Sequence, residues 1–558
     1  MRQTKPRSGS IAATLVLGLA LVPSVAWAQE AEIEISGFEA TDSALDEAAL
    51  AAILNGDPDA DLDGLAALDA LTITIDRLEA VAPDGTVTVL SELVLANVVD
   101  GVAGTAAIDS ITVIEGEELI GEFGLVTISD LDIGAILALS GQTAPLETDA
   151  FVPVFSSFSF SGGHHETDEA KCAFNATHLG SLSIHPQELA AMEALAEAGD
   201  DAEGEAFLTF MSSFQLDGLE FGGFRCKGPN ADGRPIDFQI GGVTAGNFTP
   251  GLWPEIELAD LSVTGFQDGE PALVSIASAR WGATDYSHLL QLEDLDLESA
   301  SFEAARRTMP HISGFSISGV EMDVADGSSG ERIALSLGEM SVDVGEWFNG
   351  LPTSISFSIQ DQVMNFQLDH PAEQEFIALM GLASTPIDYS GAIYWDREAE
   401  TIEIDSMSYT WGDLGSMTAS VTIANATEAL FSYDEAEMLG AALQLGLASF
   451  MTEATDTGFI DLVAEVAGYA DGLSVRESRT QLAKTASEDL TTDAPELQAL
   501  WQPVVDFIQT GGRLVVEGRA AGEGAAGLST FMLMETDPGQ FLEAFDISVT
   551  NSPVPEEG

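Results

Sequence analysis

Four of the seven histidines, His164, His165, His178 and His185, fall within one short window, with Cys172, Glu166 and Asp168 among them. Imidazole nitrogens and carboxylate oxygens are zinc-type ligands, and a site needs three or four of them converging. If 156–161 and 179–185 pair as strands, those side chains converge. The pattern then points to a zinc-type metal and a metal-dependent activity. Histidines on exposed loops beside carboxylates give the same pattern without a metal. A second ligand-like run is Asp57, Asp59, Asp61 and Asp63, whose alternation is that of a calcium loop. An EF-hand needs Gly at the sixth place and Glu at the twelfth. Here Gly64 stands eighth and Leu68 twelfth, with Asp69 one place later. The departure favours a solvated acidic loop over bound calcium.

Cys172 and Cys226 are the only thiols. Paired, they would close a long loop, a constraint of about 4 kcal/mol in chain-entropy terms. A redox pair would be expected to show C-x-x-C spacing, which is absent, so the pattern predicts a structural staple. The sequence holds no Gly-rich phosphate loop, no G-x-S-x-G and no H-E-x-x-H. Carboxylate pairs carry no information among 92 acids. Trp253, Trp281, Trp347, Trp395, Trp411 and Trp501 are predicted to fill core rather than to form a carbohydrate platform.

Charge excludes more than it suggests. The 558-residue chain carries a net charge of −74. A nucleic-acid binder needs a basic stripe, and docking on an anionic leaflet needs basic clusters; neither is present. At 46% hydrophobic residues, the chain is no disordered acidic tail. Arg2, Lys5 and Arg7, the apolar stretch 11–22 and Ala26-Trp27-Ala28 form the three parts of a signal peptide. Cleavage is expected between Ala28 and Gln29, leaving no transmembrane span in the mature chain. The expected compartment is periplasmic or extracellular, of Gram-negative type, and oxidising.

The elements that would position these residues are mostly strands. Period-two alternation recurs at Leu71-Thr72-Ile73-Thr74-Ile75, Ile111-Thr112-Val113, Phe158-Ser159-Phe160 and Ile355-Ser356-Phe357-Ser358-Ile359. Asp84-Gly85, Asp232-Gly233, Asp268-Gly269 and Asp326-Gly327 supply hairpin turns. The fold class expected is α+β, mainly antiparallel β: a long meander of β-hairpins with short helical insertions, then a helix-rich C-terminal part. Insertions are predicted at 43–56, 186–198, 369 onward and within 287–307. Helices are predicted at 432–450, 459–470, 474–490 and 495–509, a strand at 513–517 and a last short helix at 541–545. The domains so drawn are a signal peptide at 1–28 and a hairpin meander at 29–366, with a subdomain break near 186–212. A linking segment at 367–429, a helix-rich part with a terminal strand at 430–550 and a frayed tail at 551–558 complete them.

Two stretches resemble known groups. Tyr394-Trp395-Asp396, Ile402-Glu403-Ile404-Asp405-Ser406-Met407 and Leu414-Gly415-Ser416-Met417 begin the first. Asp456-Thr457-Gly458-Phe459-Ile460, Val505-Asp506-Phe507-Ile508 and Gly512-Arg513-Leu514 complete it. Over roughly 385–520 the chain resembles exported alphaproteobacterial proteins of unassigned function, a likeness that implies no activity. The β-rich part is similar to AsmA-like and YdgA-like periplasmic proteins, which usually keep a membrane anchor.

The sequence names no nucleophile or base, so an enzyme is not the leading expectation. The first function expected is a structural or partner-binding role of an exported, soluble, acidic protein. Exposed sheet edges would take a protein partner by strand addition. The alternative is a periplasmic carrier of an apolar ligand or lipid in a β-groove. The third is the metal-dependent activity at His164–His185, with calcium or zinc as the cofactors the residue types suggest.

Overall fold

The structure, a computed structural model, describes residues 32–554 except 56, 58, 140–142, 144–145, 147, 168–169, 190–202, 230–232, 268–269, 292–300, 326–331, 368–384, 470–471, 494–497, 523, 528–529 and 531–542. The predicted helix at 369 onward, most of that at 186–198, and three of the four Asp-Gly turns in whole or part lie outside the described residues. The chain divides into two compact units. The first holds residues 1–266 and 280–295, the second 267–279 and 296–558.

The first unit opens with six strands: β1 (Glu32–Thr41), β2 (Ala70–Val81), β3 (Thr86–Val99), β4 (Val102–Glu115), β5 (Glu118–Phe123) and β6 (Val126–Asp132). β1 to β4 pair in chain order, all antiparallel, and β4 then pairs with both β5 and β6. The Asp84-Gly85 turn joins β2 to β3, with Gly85 at φ 87° as a tight hairpin demands. Short helices fill the gaps. In α1 (Glu47–Leu54), Asp46 Oδ1 accepts from Ala49 N at 2.8 Å. In α2 (Leu62–Ala66), Asp61 Oδ1 accepts from Gly64 N at 2.8 Å. These carboxylates satisfy helix-start donors that nothing else would reach. Six further strands matter below: β7 (Gly163–Glu166), β8 (Lys171–Phe174), β9 (Thr177–Leu179), β10 (Phe214–Phe221), β11 (Phe224–Pro229) and β12 (Pro235–Ile240). The inward side chains of this unit make a dense core. Ile111, Val113, Phe123, Phe158, Phe160 and Leu179 are among its buried members.

The second unit contains a meander of nine antiparallel strands. They are β13 (Gly314–Ala325), β14 (Arg332–Val344), β15 (Ser354–Gln367), β16 (Ile387–Asp396), β17 (Thr401–Trp411), β18 (Gly415–Ala424), β19 (Gly446–Asp456), β20 (Gly512–Ala520) and β21 (Phe545–Ser552). Each pairs with the next in that order. Their helices are α3 (Phe302–Arg307), α4 (Glu435–Ala442), α5 (Phe459–Tyr469), α6 (Val475–Asp493) and α7 (Gln498–Thr510). The expected mainly antiparallel fold with helices in the C-terminal part is what forms. The capping box opens α6: Ser474 N donates to Glu477 Oε2 at 3.0 Å, and Glu477 N donates back to Ser474 Oγ.

One element prediction fails in part here, and another is cut short. The stretch 432–450 is helical only over α4; β19 begins at Gly446. Ala441-Ala442-Leu443 reads as helix in isolation, but the chain from Gly446 has an open sheet edge to join, and pairing with β18 and β20 outweighs propensity. Of the helix expected at 541–545, residues 543–544 are helical and 541–542 lie outside the described residues; β21 takes over at Phe545, and the ladder against β20 holds it through Ser552.

The strands share an irregularity. The β1–β2 pairing passes from Ser36↔Arg77 to Phe38↔Ile75, leaving Gly37 and Asp76 out. β2–β3 skips Asp76 and Glu92, and β3–β4 skips Glu92 and Asp109. In the second unit β13–β14 skips Gly319 and Gly338. Gly37, Glu92, Gly319 and Asp361 have φ of 70°, 50°, 59° and 53°. A left-handed residue therefore sits in mid-strand on alternate strands, β1 and β3 and again β13 and β15, facing a skipped residue without positive φ on the strand between. Apolar side chains step by three across it, as at Ile75 to Leu78, Leu90 to Leu93 and Ile108 to Ile111. The step keeps them on one face, where a strict period of two would move them to the other.

Candidate functional site

The longest ordered surface feature is in the second unit, and it follows from the register. Ile317, Met340, Ile359, Tyr389, Tyr409 and Met417 lie opposite one another in a row across β13–β18. A second row runs Val344, Ile355, Ile393, Ile404, Val421 and Phe450 over β14–β19. The alternate positions carry Ser316, Ser341, Ser358, Ser390, Ser408 and Thr418, again directly opposed. One face is thus aliphatic and aromatic, the other hydroxyl-lined.

The apolar face is not sealed. Among the described side chains of β13–β16, Ala325 is the one buried hydrophobic residue. Ile393, Met407 and Met417 stand 41%, 38% and 47% exposed. Gly391 keeps the face smooth: a Cβ there would meet Met407 Sδ at 2.5 Å and the Phe357 ring at 2.9 Å. Bulges between Ser390 and Ala392 and between Ile404 and Met407 preserve the facing of these side chains. Among the described helices of this unit, α7 packs against β20 and β21, and Phe459 at the start of α5 lies 5.2 Å from Trp411 at the end of β17.

Near that helical end, Asp456 closes β19 and starts α5. Its Oδ1 accepts from Ile460 N at 2.9 Å and Gly458 N at 3.3 Å. Its Oδ2 lies 3.2 Å from Arg479 Nη2, and the two side chains are only 4% and 12% exposed. Arg479 also meets Asp461 at 2.6 Å and the Gln509 carbonyl at 3.4 Å. A polar hollow of about 770 Å³ lies beside them, lined by Arg476, Thr457, Thr480 and Thr510 among others. Held between the carboxylates of Asp456 and Asp461, Arg479 reads as a structural staple for α5, α6 and α7.

The histidines are dispersed. His164 and His165 are successive residues of β7, pointing to opposite faces; His164 is exposed and His165 half-buried. His178, on β9, is exposed and lies opposite Ser159 and Glu220. His185 follows the strand Leu182–Ile184. Its Nε2 is 3.1 Å from the Asp149 carbonyl, and its ring packs edge-on against Phe151 at 5.3 Å. Among the described residues, no group of three or more His, Cys, Asp or Glu is placed to hold a metal ion. Asp168 lies outside the described residues. Asp57, Asp59, Asp61 and Asp63 serve a turn and α2 instead of converging. Asp57 Oδ1 accepts from Asp59 N at 2.9 Å, Asp61 caps α2 and Asp63 sits in its first turn.

Cys172 and Cys226 are joined, directly opposite each other on β8 and β11, with Cα atoms 4.0 Å apart. Lys171, Arg225 and Lys227 lie on the other face of these strands. Arg225 holds Asp237 at 2.5 Å and Lys227 adds a contact at 3.2 Å. The hydrogen bond from Arg225 holds the Asp237 carboxyl down at about 2. A depressed carboxylate stabilises the fold above its unfolded pKa and loses that stability as pH falls through the folded one. With Arg225 half exposed, solvent screening keeps this contribution small. Asp237→Asn is expected to lower the urea midpoint at pH 7 and to leave it unchanged near pH 2. An equal deficit at both pH values would show a packing effect instead.

The tryptophans are mostly covered, Trp411 fully, whereas Trp281 is 50% exposed and departs from the core expectation. No helix among the described residues is long and apolar enough to cross a membrane. A family model described only as an uncharacterized protein matches residues 408–552, from within β17 through β21. That stretch includes the Arg479–Asp456 pair and overlaps the C-terminal resemblance over 408–520. No curated protein matches the chain, so no named relative supports the likeness to AsmA-like or alphaproteobacterial proteins.

Proposed function

We propose that the protein carries an elongated apolar ligand, of lipid type, on the aliphatic face of β13–β18. The observation that supports this is the exposure of Ile393, Met407 and Met417 within a continuous six-strand apolar surface. Water against such a surface costs about 25 cal/mol per Å², and a ligand that removes it recovers that free energy. The acidic shell keeps the carrier soluble and apart from its neighbours. Export after cleavage between Ala28 and Gln29, into an oxidising compartment that suits the Cys172–Cys226 bond, completes the reading.

The test is direct. Purified protein should release an acyl-chain lipid on organic extraction, and the delipidated chain should brighten an anilinonaphthalene probe. Ile393→Glu and Met417→Glu should weaken probe binding about tenfold with little change in melting, since both sites are partly exposed already. Lipid-free preparations that never bind the probe would sink the proposal.

A structural or partner-binding role is the second reading, favoured by β21. Among the described strands it pairs with β20 alone, and it carries neither Lys nor Pro to blunt its outer edge. Stoichiometric capture of an envelope protein, abolished by Val549→Pro, would support strand addition there.

A further inference from the structure

One transverse row of the first unit carries chemistry that the apolar face does not use. Val113 on β4, Gly121 on β5, His165 on β7, Cys172 on β8, Cys226 on β11 and Phe238 on β12 lie directly opposite one another in succession. Directly opposed residues keep their Cβ atoms about 5 Å apart, so the His165 imidazole lies beside Cys172 and Cys172 lies beside Cys226. His165 Nδ1 is buried and makes no hydrogen bond among the described residues. Gly121 leaves room next to it: a Cβ at that position would sit 3.3 Å from Nδ1. An idle buried imidazole nitrogen beside the chain's one disulfide is not needed for packing, and an unmade hydrogen bond costs about 1–3 kcal/mol.

We propose that Cys172–Cys226 is a working redox site, opened by thiol–disulfide exchange with an external dithiol and closed by the reverse exchange with that dithiol's disulfide, and that His165 supplies the proton to Cys172. A thiolate of the dithiol attacks Cys226 Sγ and forms a mixed disulfide. The Cys172–Cys226 bond breaks, and Cys172 leaves as a thiolate beside the imidazolium of His165, which passes it a proton. The second thiolate of the dithiol then attacks its own bridged sulfur, releasing Cys226 and closing the dithiol's disulfide. Two electrons pass to the protein, and the dithiol is oxidised. Departure is faster when the leaving sulfur is stabilised, and an adjacent protonated imidazole provides this. The register assigns the roles, because Cys172 rather than Cys226 neighbours His165.

The experiment uses the full oxidised chain, dithiothreitol as the probe, and alkylation at timed intervals to count free thiols. The wild-type disulfide should open while the protein stays folded. His165→Gln should slow this about tenfold. His164→Gln, on the opposite face of the same strand, should leave the rate within about twofold, since its side chain is remote from the sulfurs. His165→Phe, which keeps the ring volume, guards against a misfolded Gln variant. Oxidised forms should melt alike, separating proton supply from loosened structure. A disulfide that resists dithiol until the protein unfolds, or H165Q and H165F opening as fast as wild type, would overturn the proposal.

Discussion

Arg306→Met is expected to destabilise the second unit by about 3–5 kcal/mol, lowering its melting temperature by roughly 10 °C. Arg306 is 4% exposed and has no carboxylate partner among the described residues. Its guanidinium donates to the carbonyls of Ser432, of Asn349 at 2.5 Å and of Phe431 at 2.9 Å. It also packs on Phe302 and Tyr433, whose ring centroids are 5.3 and 5.2 Å away. One side chain on α3 thus ties together segments more than a hundred residues apart. Met fills the space but leaves three carbonyls without donors, each worth about 1–2 kcal/mol. Arg306→Lys should recover only part of the loss, because one ammonium cannot reproduce the planar fork. Tryptophan fluorescence should report the melt, since Trp395 packs 4.2 Å from Phe431. A variant melting within a degree or two of wild type would show these carbonyls to be satisfied otherwise.

Arg479→Met should cost a similar amount, about 3–5 kcal/mol, for the opposite reason: it strands a carboxylate instead of carbonyls. Asp456 is all but buried and caps α5, so it cannot swing out to water without uncapping the helix. Asp456→Asn keeps an acceptor for the cap and leaves Arg479 with the exposed Asp461, so it should cost less, about 1–2 kcal/mol. The double variant should recover more than 1 kcal/mol relative to the sum of the singles. Additive costs in urea titration would mean that the two side chains do not act as a pair. The effect should also appear in a fragment spanning the matched stretch 408–552, should that fragment fold.

Local patterning carried much of the fold. Strands fell where Ile, Val and Phe alternate with Ser and Thr, because a half-covered sheet imposes that period. The start of the helix expected at 474–490 was legible because a helix start is a local hydrogen-bond problem, whereas the insertion expected from 43 becomes helix only after the Asp46 cap. β19 and β21 were missed because only neighbouring strands make 446–456 and 545–552 extended. The candidate surface was legible in its parts alone. Ile359, Tyr389, Tyr409 and Met417 alternate visibly, but nothing short of the register makes them one row. The histidine window misled through proximity in sequence: His164 and His165 face opposite ways because neighbouring strand residues must. One overlooked signal was present, the three-residue apolar step around an acid or glycine, at Ile75-Asp76-Arg77-Leu78 and Leu90-Ser91-Glu92-Leu93.

That step has a consequence for crowding. Any chain that zips onto β1 must leave a residue unpaired at the level of Gly37, as β2 does with Asp76, or forfeit either its register or its inward side chains. Ordinary straight segments from unfolded neighbours lack that break. The kink therefore works as a lock whose key few sequences hold, and it discourages indiscriminate clumping at high protein concentration without blunting the edge by charge alone.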